Sequence, residues 1–425
     1  MLNIASKRFF LILLVVFFSE VPDSTATDFV PVYIDNPRTG FYDQTPLTDQ
    51  VARGDNNGRA LGDVRRIAFQ NALNLLEMLI ITKNAGGIRI QASFEDQGPG
   101  ILASALPAMG VAVPSSLAPG GFITMAVAHA EHVLERELNG NRPDFEITFN
   151  ERVPFYYGTG ITPRGYVDFT DTIAHELIHG LGFLHLIRED GSFPQIQEIQ
   201  EIRDIIPGQE GATLPATLPA ISLYDLGLYS EREADLLINL SQSERRDAIT
   251  SGDGLLWDGT LGGVFTPSCA QLMGEVLVDV YPSAVGSEGK PKLYAPNPYE
   301  SGSSVAHFVQ ASIDIMAPFD HQEIPHAYFT TGVMLDMLWI AGNLDSTSQE
   351  ILEDCLVDSG EETEPELEST PEPTPAPDIP SQSSGGGSGG GCSIAETQTM
   401  SQNTVLNLLL ILLAMAPCLR LYRTS

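Results

Sequence analysis

His175, Glu176, His179, Gly182 and His185 have the residue types and the spacing for metal chemistry. On a helix, residues four apart share a face, so His175 and His179 project their imidazoles together. Two ring nitrogens placed that way reach one ion at roughly 2.0–2.1 Å. Glu176, one residue round the helix, reaches a water on that ion without being a ligand. Gly182 suits the left-handed turn that ends a helix, and the turn returns His185 as a third ligand. Three protein ligands leave a fourth position for water, which separates a catalytic zinc site from a closed structural one. Two histidines alone would as readily be a half-buried helix face. The glutamate, the glycine and the third histidine in register argue against that.

The elements that must position these residues follow from periodicity. Thr170 or Asp171 serves as N-cap of the zinc helix, which runs to about Leu181. Phe29–Ile34 alternates weakly and reads as a first strand. Val64, Ile67, Ala68, Asn71, Leu75 and Met78 trace one face of a helix over Arg59–Ile81. Ile88, Ile90, Ala92 and Phe94 alternate with polar residues as a half-buried strand, and Phe145, Ile147 and Phe149 form another. Gly98–Gly121, rich in Gly, Pro and Ala, reads as irregular. Phe122–Leu138 reads as a helix. It carries His129 and His132 near Glu131 and Glu135, a solvated polar face in preference to a second metal site. Ser222–Leu228, Ala234–Leu240 and Arg245–Leu256 read as short elements, and Thr330–Ile340 as an apolar helix.

The 175–185 stretch matches the long metzincin motif H-E-x-x-H-x-x-G-x-x-H at every specified position. Asp314-Ile315-Met316-Ala317-Pro318 resembles the methionine turn of that family, with Met316 as its methionine. With Gly302–Phe308, the helix ending near Trp339 and Phe155–Gly158, the chain resembles secreted bacterial zinc metalloproteases over roughly residues 28–345. The resemblance implies an α+β fold: a mixed twisted sheet, an active-site helix and an elaborated lower subdomain. It implies one catalytic Zn2+ held by His175, His179 and His185, with Glu176 as general base and Met316 as the floor beneath them. It also implies that the strand around Phe145–Phe149 lies along the substrate cleft. Two features depart from the family. The span from His185 to Met316 is far longer than compact metzincins use, yet Trp257–Leu293 is too short for a further domain. Pro318 stands where some metzincins have a tyrosine, leaving Tyr328 as a substitute phenol. His307, His321 and His326 flank the turn. With three ligands already supplied, they read as structural or as groups that orient the ligands.

Net charge is −33, from 22 Lys and Arg against 55 Asp and Glu. That balance excludes nucleic acid as a partner, since phosphate contacts need cations. Much of the acid sits between Glu353 and Glu372, as a solvated spacer. Cys269 and Cys355 could pair in an oxidising compartment. No cysteine precedes Cys269, so a cysteine switch on the zinc is excluded. A calcium ion is compatible with the chain, but no motif shows one.

Residues 1–26 read as a signal peptide, with Lys7 and Arg8, an apolar stretch Phe9–Phe18 and small residues before a cleavage point after Ala26. Residues 27–345 form the catalytic domain. Residues 346–391 are an acidic, Pro/Gly/Ser-rich linker. Residues 392–425 are a membrane or sorting segment, with apolar Val405–Leu419 followed by Arg420 and Arg423. The tail resembles C-terminal sorting signals of Gram-negative surface proteins, which implies a sorting protease acting on it; retention as a simple anchor is the other reading. The expected protein is a secreted or cell-surface endopeptidase, cutting peptide bonds of extracellular or cell-envelope proteins. The alternative is a surface-displayed binding or adhesion module with the same fold. A narrower one is a hydrolase of cell-wall peptides.

Overall fold

In a computed structural model of the chain, the described residues are 29–80, 82, 86–199, 202–204, 214–260, 268–319, 325, 327–339 and 390–393. The signal-peptide segment, the tail beyond Ser393, His321, His326 and Cys355 lie outside them, and with Cys355 the proposed disulfide. No helix among the described residues is long and apolar enough to cross a membrane.

The first elements are strand β1 (Phe29–Tyr33), a short helix α1 (Gln50–Arg53) and the long helix α2 (Leu61–Leu79). They are followed by strands β2 (Ile88–Glu95), β3 (Ile101–Pro107), β4 (Gly110–Pro114) and β5 (Phe122–Ala126). Helix α3 (Val127–Leu134) and strand β6 (Phe145–Asn150) come next. Two short strands, β7 (Phe155–Tyr156) and β8 (Val167–Asp168), lead into helix α4 (Phe169–Gly180). Strand β9 (Ile202–Asp204) returns to pair with β4, and the lower half holds β10 (Leu228–Ser230), β11 (Asp235–Leu236), α5 (Gln242–Ala248), β12 (Leu255–Trp257), α6 (Cys269–Leu277) and α7 (Tyr328–Asp336). Strand β13 (Gly390–Ser393) is the last described element.

The main sheet has the order β1-β2-β6-β3-β13. Its first three strands are parallel; β3 and β13 are each antiparallel to their neighbour. Helices α2 and α4 pack together over it. Val64, Ala68, Phe69, Ala72, Leu73 and Leu76 form the buried stripe of α2, the 3.6-residue period that a half-buried helix requires. The same buried cluster takes in Trp257, Phe308, Met316 and Trp339 from the lower half. The two halves therefore meet through packed apolar surface at the level of α4.

Four expectations change. The 98–121 stretch is not irregular: it contains β3 and β4. Gly98 and Gly100, at φ 82 and 85, form the turn between strands, and Asn150 Nδ2 donates to the Gly98 and Ile101 carbonyls. Strand β6 is not at the cleft edge, because β2 and β3 pair with its two sides. Gly390–Ser393, which straddles the expected boundary between linker and tail, pairs with β3. Residues 122–126 are strand, not helix, because Phe122, Ile123 and Thr124 pair with Pro114, Val113 and Ala112.

Helix α3 corrects a fifth expectation, for its polar residues are buried and not solvated. His129, Glu131 and His132 are at most 2 % exposed. His129 Nε2 donates to the Met337 carbonyl at 2.7 Å and His132 Nε2 to that of Leu338 at 3.2 Å. Both rings stack on Trp339. Together they clamp the end of α7, which stops at Asp336 and not at residue 340.

Behind α3, carboxylate oxygens of Glu131, Glu137 and Asp144 lie within 4.8 Å of one another. Glu131 accepts the Leu138 amide and Asp144 the Arg89 amide, while the Arg89 guanidinium pairs with Glu137. Burial pushes Glu131 up to about 8 and Asp144 up to about 6. A raised acid pKa means that the folded chain binds more protons than the unfolded one. Glu131 therefore favours folding most at acid pH, and that contribution declines between its ordinary value of 4.5 and about 8. Glu131→Gln is expected to flatten that decline, measured as the urea midpoint at pH 5 and pH 8. An unchanged difference between the two would refute it.

Candidate metal centre

Helix α4 begins on Asp168, two or three residues before the expected cap. Its Oδ1 accepts the Asp171 amide at 3.0 Å, and Thr162 Oγ1 donates to Oδ2 at 2.8 Å. One side of the helix buries Phe169, Ile173, Leu177 and Ile178, and α4 packs on β3, β6 and α2. Gly180 sits against β6: a Cβ there would meet the Phe145 ring at 2.3 Å. Gly180→Ala is expected to destabilise the fold by about 1–3 kcal/mol, measured by denaturant titration. A stability equal to the native chain's would contradict that close packing.

The helix ends as Gly182 predicts. Gly182 has φ 107; its amide donates to the His179 carbonyl, and the Phe183 amide to that of Ile178. This pair of bonds is a Schellman motif with glycine at the left-handed position.

On this scaffold His175 and His179 face one point, but the third histidine there is His307. The Nε2 atoms of His175 and His179 are 3.0 Å apart; His307 Nε2 lies 3.1 Å from the first and 3.3 Å from the second. His185 is not part of this group. Its Nδ1 donates to the Ile187 carbonyl at 2.8 Å, and the Ser304 backbone also engages the ring. The loop that carries it is pulled onto the buried Asp225 carboxylate, which accepts the Leu186 amide at 3.0 Å.

Each ring in the group is oriented from behind. His175 Nδ1 donates to the Ile315 carbonyl at 2.6 Å, His179 Nδ1 to that of Phe183 at 2.8 Å and His307 Nδ1 to that of Ser303 at 2.7 Å. A carbonyl oxygen can only accept, so each Nδ1 carries a proton, and a ring that is neutral turns its Nε2 lone pair inward. Burial pushes His179 down to about 4 and His307 well below the usual histidine range, the latter aided by the other two rings. Three inward lone pairs about 3 Å apart repel one another unless a cation lies between them. A tetrahedral ion with metal–nitrogen bonds of roughly 2.0–2.1 Å would set its ligand nitrogens about 3.3 Å apart. The residues therefore fit a small N-preferring ion, and the carbonyls behind them are the usual outer partners of metal-binding histidines.

Glu176 is fully buried on the same helix. The Asp314–Pro318 turn reaches the group through Ile315, whose carbonyl holds His175. Met316 is fully buried, its amide on Asp314 Oδ1 and its carbonyl accepting the Phe308 amide. Phe308 follows His307, so the turn braces two of the three histidines. Tyr328, expected as a stand-in for the missing phenol, opens α7 as a half-buried residue.

Compared with known proteins, the chain matches no family model, no curated protein and no solved structure.

Proposed function

We propose that the chain is a metzincin-type zinc endopeptidase whose ion is held by His175, His179 and His307. The observation that carries this reading is the convergence of three backbone-oriented, neutral imidazoles beside Glu176 on one helix. An all-histidine set suits zinc among the abundant divalent ions, and three ligands leave the open position that catalysis needs. When bound, zinc supplies a water acidic enough to ionise near neutral pH and polarises a carbonyl oxygen.

The chain's own residues do the rest. Glu176 takes the proton of the attacking water and passes it to the departing amine. The carbonyls of Ile315, Phe183 and Ser303 keep the rings in the tautomer that ligates. No covalent intermediate with the protein is needed. The proposed substrate is an extended peptide of an extracellular or cell-envelope protein, reached by a secreted or surface-held enzyme.

The test is metal content, by mass spectrometry, together with cleavage of a denatured protein by the purified full chain. About one zinc per chain with cleavage that a chelator stops and zinc restores supports the reading. A zinc-loaded chain that cleaves no peptide would favour a binding module, and a folded chain that takes up no zinc would remove the site.

A further inference from the structure

Two residues that flank the candidate ligands hold a backbone conformation their side chains disfavour. Val305 has φ 75 and Ile313 φ 51, in the left-handed region where a β-branched residue is an outlier. Such residues persist only where the surroundings over-determine them, and they gather at functional sites. Val305 is fully buried, two positions before His307.

Besides the Ala306 amide, which donates across it to the Ser304 carbonyl at 2.9 Å, two hydrogen bonds hold it. Its amide donates to the Tyr294 carbonyl at 2.7 Å. Its carbonyl accepts the Tyr224 hydroxyl at 2.9 Å. Tyr224 is itself fully buried, its ring centred 4.8 Å from both Phe183 and Trp257. Phe183 is the residue whose carbonyl orients His179. One side chain thus packs behind the helix ligand and bonds the segment that carries the remote one. Asp225 fixes this bracket from below, accepting the Ser222 amide and hydroxyl as well as the Leu186 amide.

We propose that Tyr224 is a positioning residue of the metal centre. Its hydroxyl holds Val305 in the left-handed conformation and so sets His307 in line with His175 and His179 before any ion arrives. The inference rests on the zinc reading of that group. It assigns to a core tyrosine, far from the motif in sequence, the task of placing the third ligand.

The test is zinc affinity of the full chain, by competition with a chromophoric chelator. The set is the native chain, Tyr224→Phe, Val305→Gly and the double variant. Tyr224→Phe is expected to weaken zinc binding by about 10-fold, in the range for loss of an outer partner. Val305→Gly is expected to bring the double variant back towards native affinity, because glycine takes a positive φ without help. Filling the core with a phenyl ring alone predicts no such rescue. A Tyr224→Phe chain that binds zinc as tightly as the native one overturns the proposal, and so does a double variant weaker than Tyr224→Phe.

If Tyr224→Phe fails to fold, hydrogen exchange on the unaltered zinc-free chain decides. Slow exchange of the Val305 amide before zinc is added supports a preset segment. Fast exchange that slows only with zinc overturns it. Failure of the native chain to bind zinc is a different result, since it removes the metal reading itself.

Discussion

Replacing His307 with alanine should empty the metal centre, whereas replacing His185 should leave it filled. His307 contributes one of three Nε2 atoms that lie 3.0–3.3 Å apart. His185 gives its Nδ1 to the Ile187 carbonyl and stands outside the group. The expected stoichiometry is about one zinc per native chain, near none for His307→Ala, and about one for His185→Ala. The affinity lost with His307 should exceed the roughly 10–100-fold that removal of an outer partner costs. His185→Ala should fall within or below that range. The opposite pattern, with zinc lost only from His185→Ala, would restore the contiguous motif as the ligand set. The pair of variants is informative because both histidines are buried, so neither result reduces to a surface change.

That contrast also shows what could be read without coordinates. His175 and His179 are legible because their relation is local: four residues of helix put both rings on one face, whatever the rest of the chain does. Gly182 is legible for the same reason, and its left-handed turn is present. The third position is not local. His307 lies 128 residues beyond His179, and only the packing of the lower half on α4 brings it back. His185 fills the motif by spacing, but the Asp225 carboxylate takes the amide after it and the loop turns accordingly. The run before Met316 did contain the signal, a histidine whose chain neighbour Phe308 bonds the methionine turn. Long helix α2 and the alternating strands β2 and β6 were visible from periodicity. Strand β3 was hidden because its alanines and its glycine-rich approach carry little strand preference, and tertiary pairing with β6 overrides it. Helix α3 misled through composition. Two histidines and a glutamate suggest a wet face, yet Trp339 and the carbonyls at the end of α7 cover the histidines, and Glu131 turns to the Leu138 amide.

Glu176→Gln should abolish peptide cleavage while zinc stays bound. Glutamine keeps the shape and the burial of the side chain but cannot take a proton. Each of the three imidazoles is oriented by a backbone carbonyl, that of Ile315, Phe183 or Ser303, so metal content should be unaffected. Loss of a positioned general base costs typically 10²–10⁴-fold in rate, and a fall in kcat of about that size is expected. The substrate's hold on the cleft does not depend on this proton, so KM should move little. Metal analysis and steady-state kinetics on the same preparation separate the outcomes. A zinc-loaded Glu176→Gln chain with native kcat would show that another group carries the proton, and the proposed mechanism would fall while the metal site stood. Loss of zinc from this variant would instead assign Glu176 a part in holding the ion. Its place one residue from His175 on α4 argues against that, because the face shared by His175 and His179 is the one the ion must occupy.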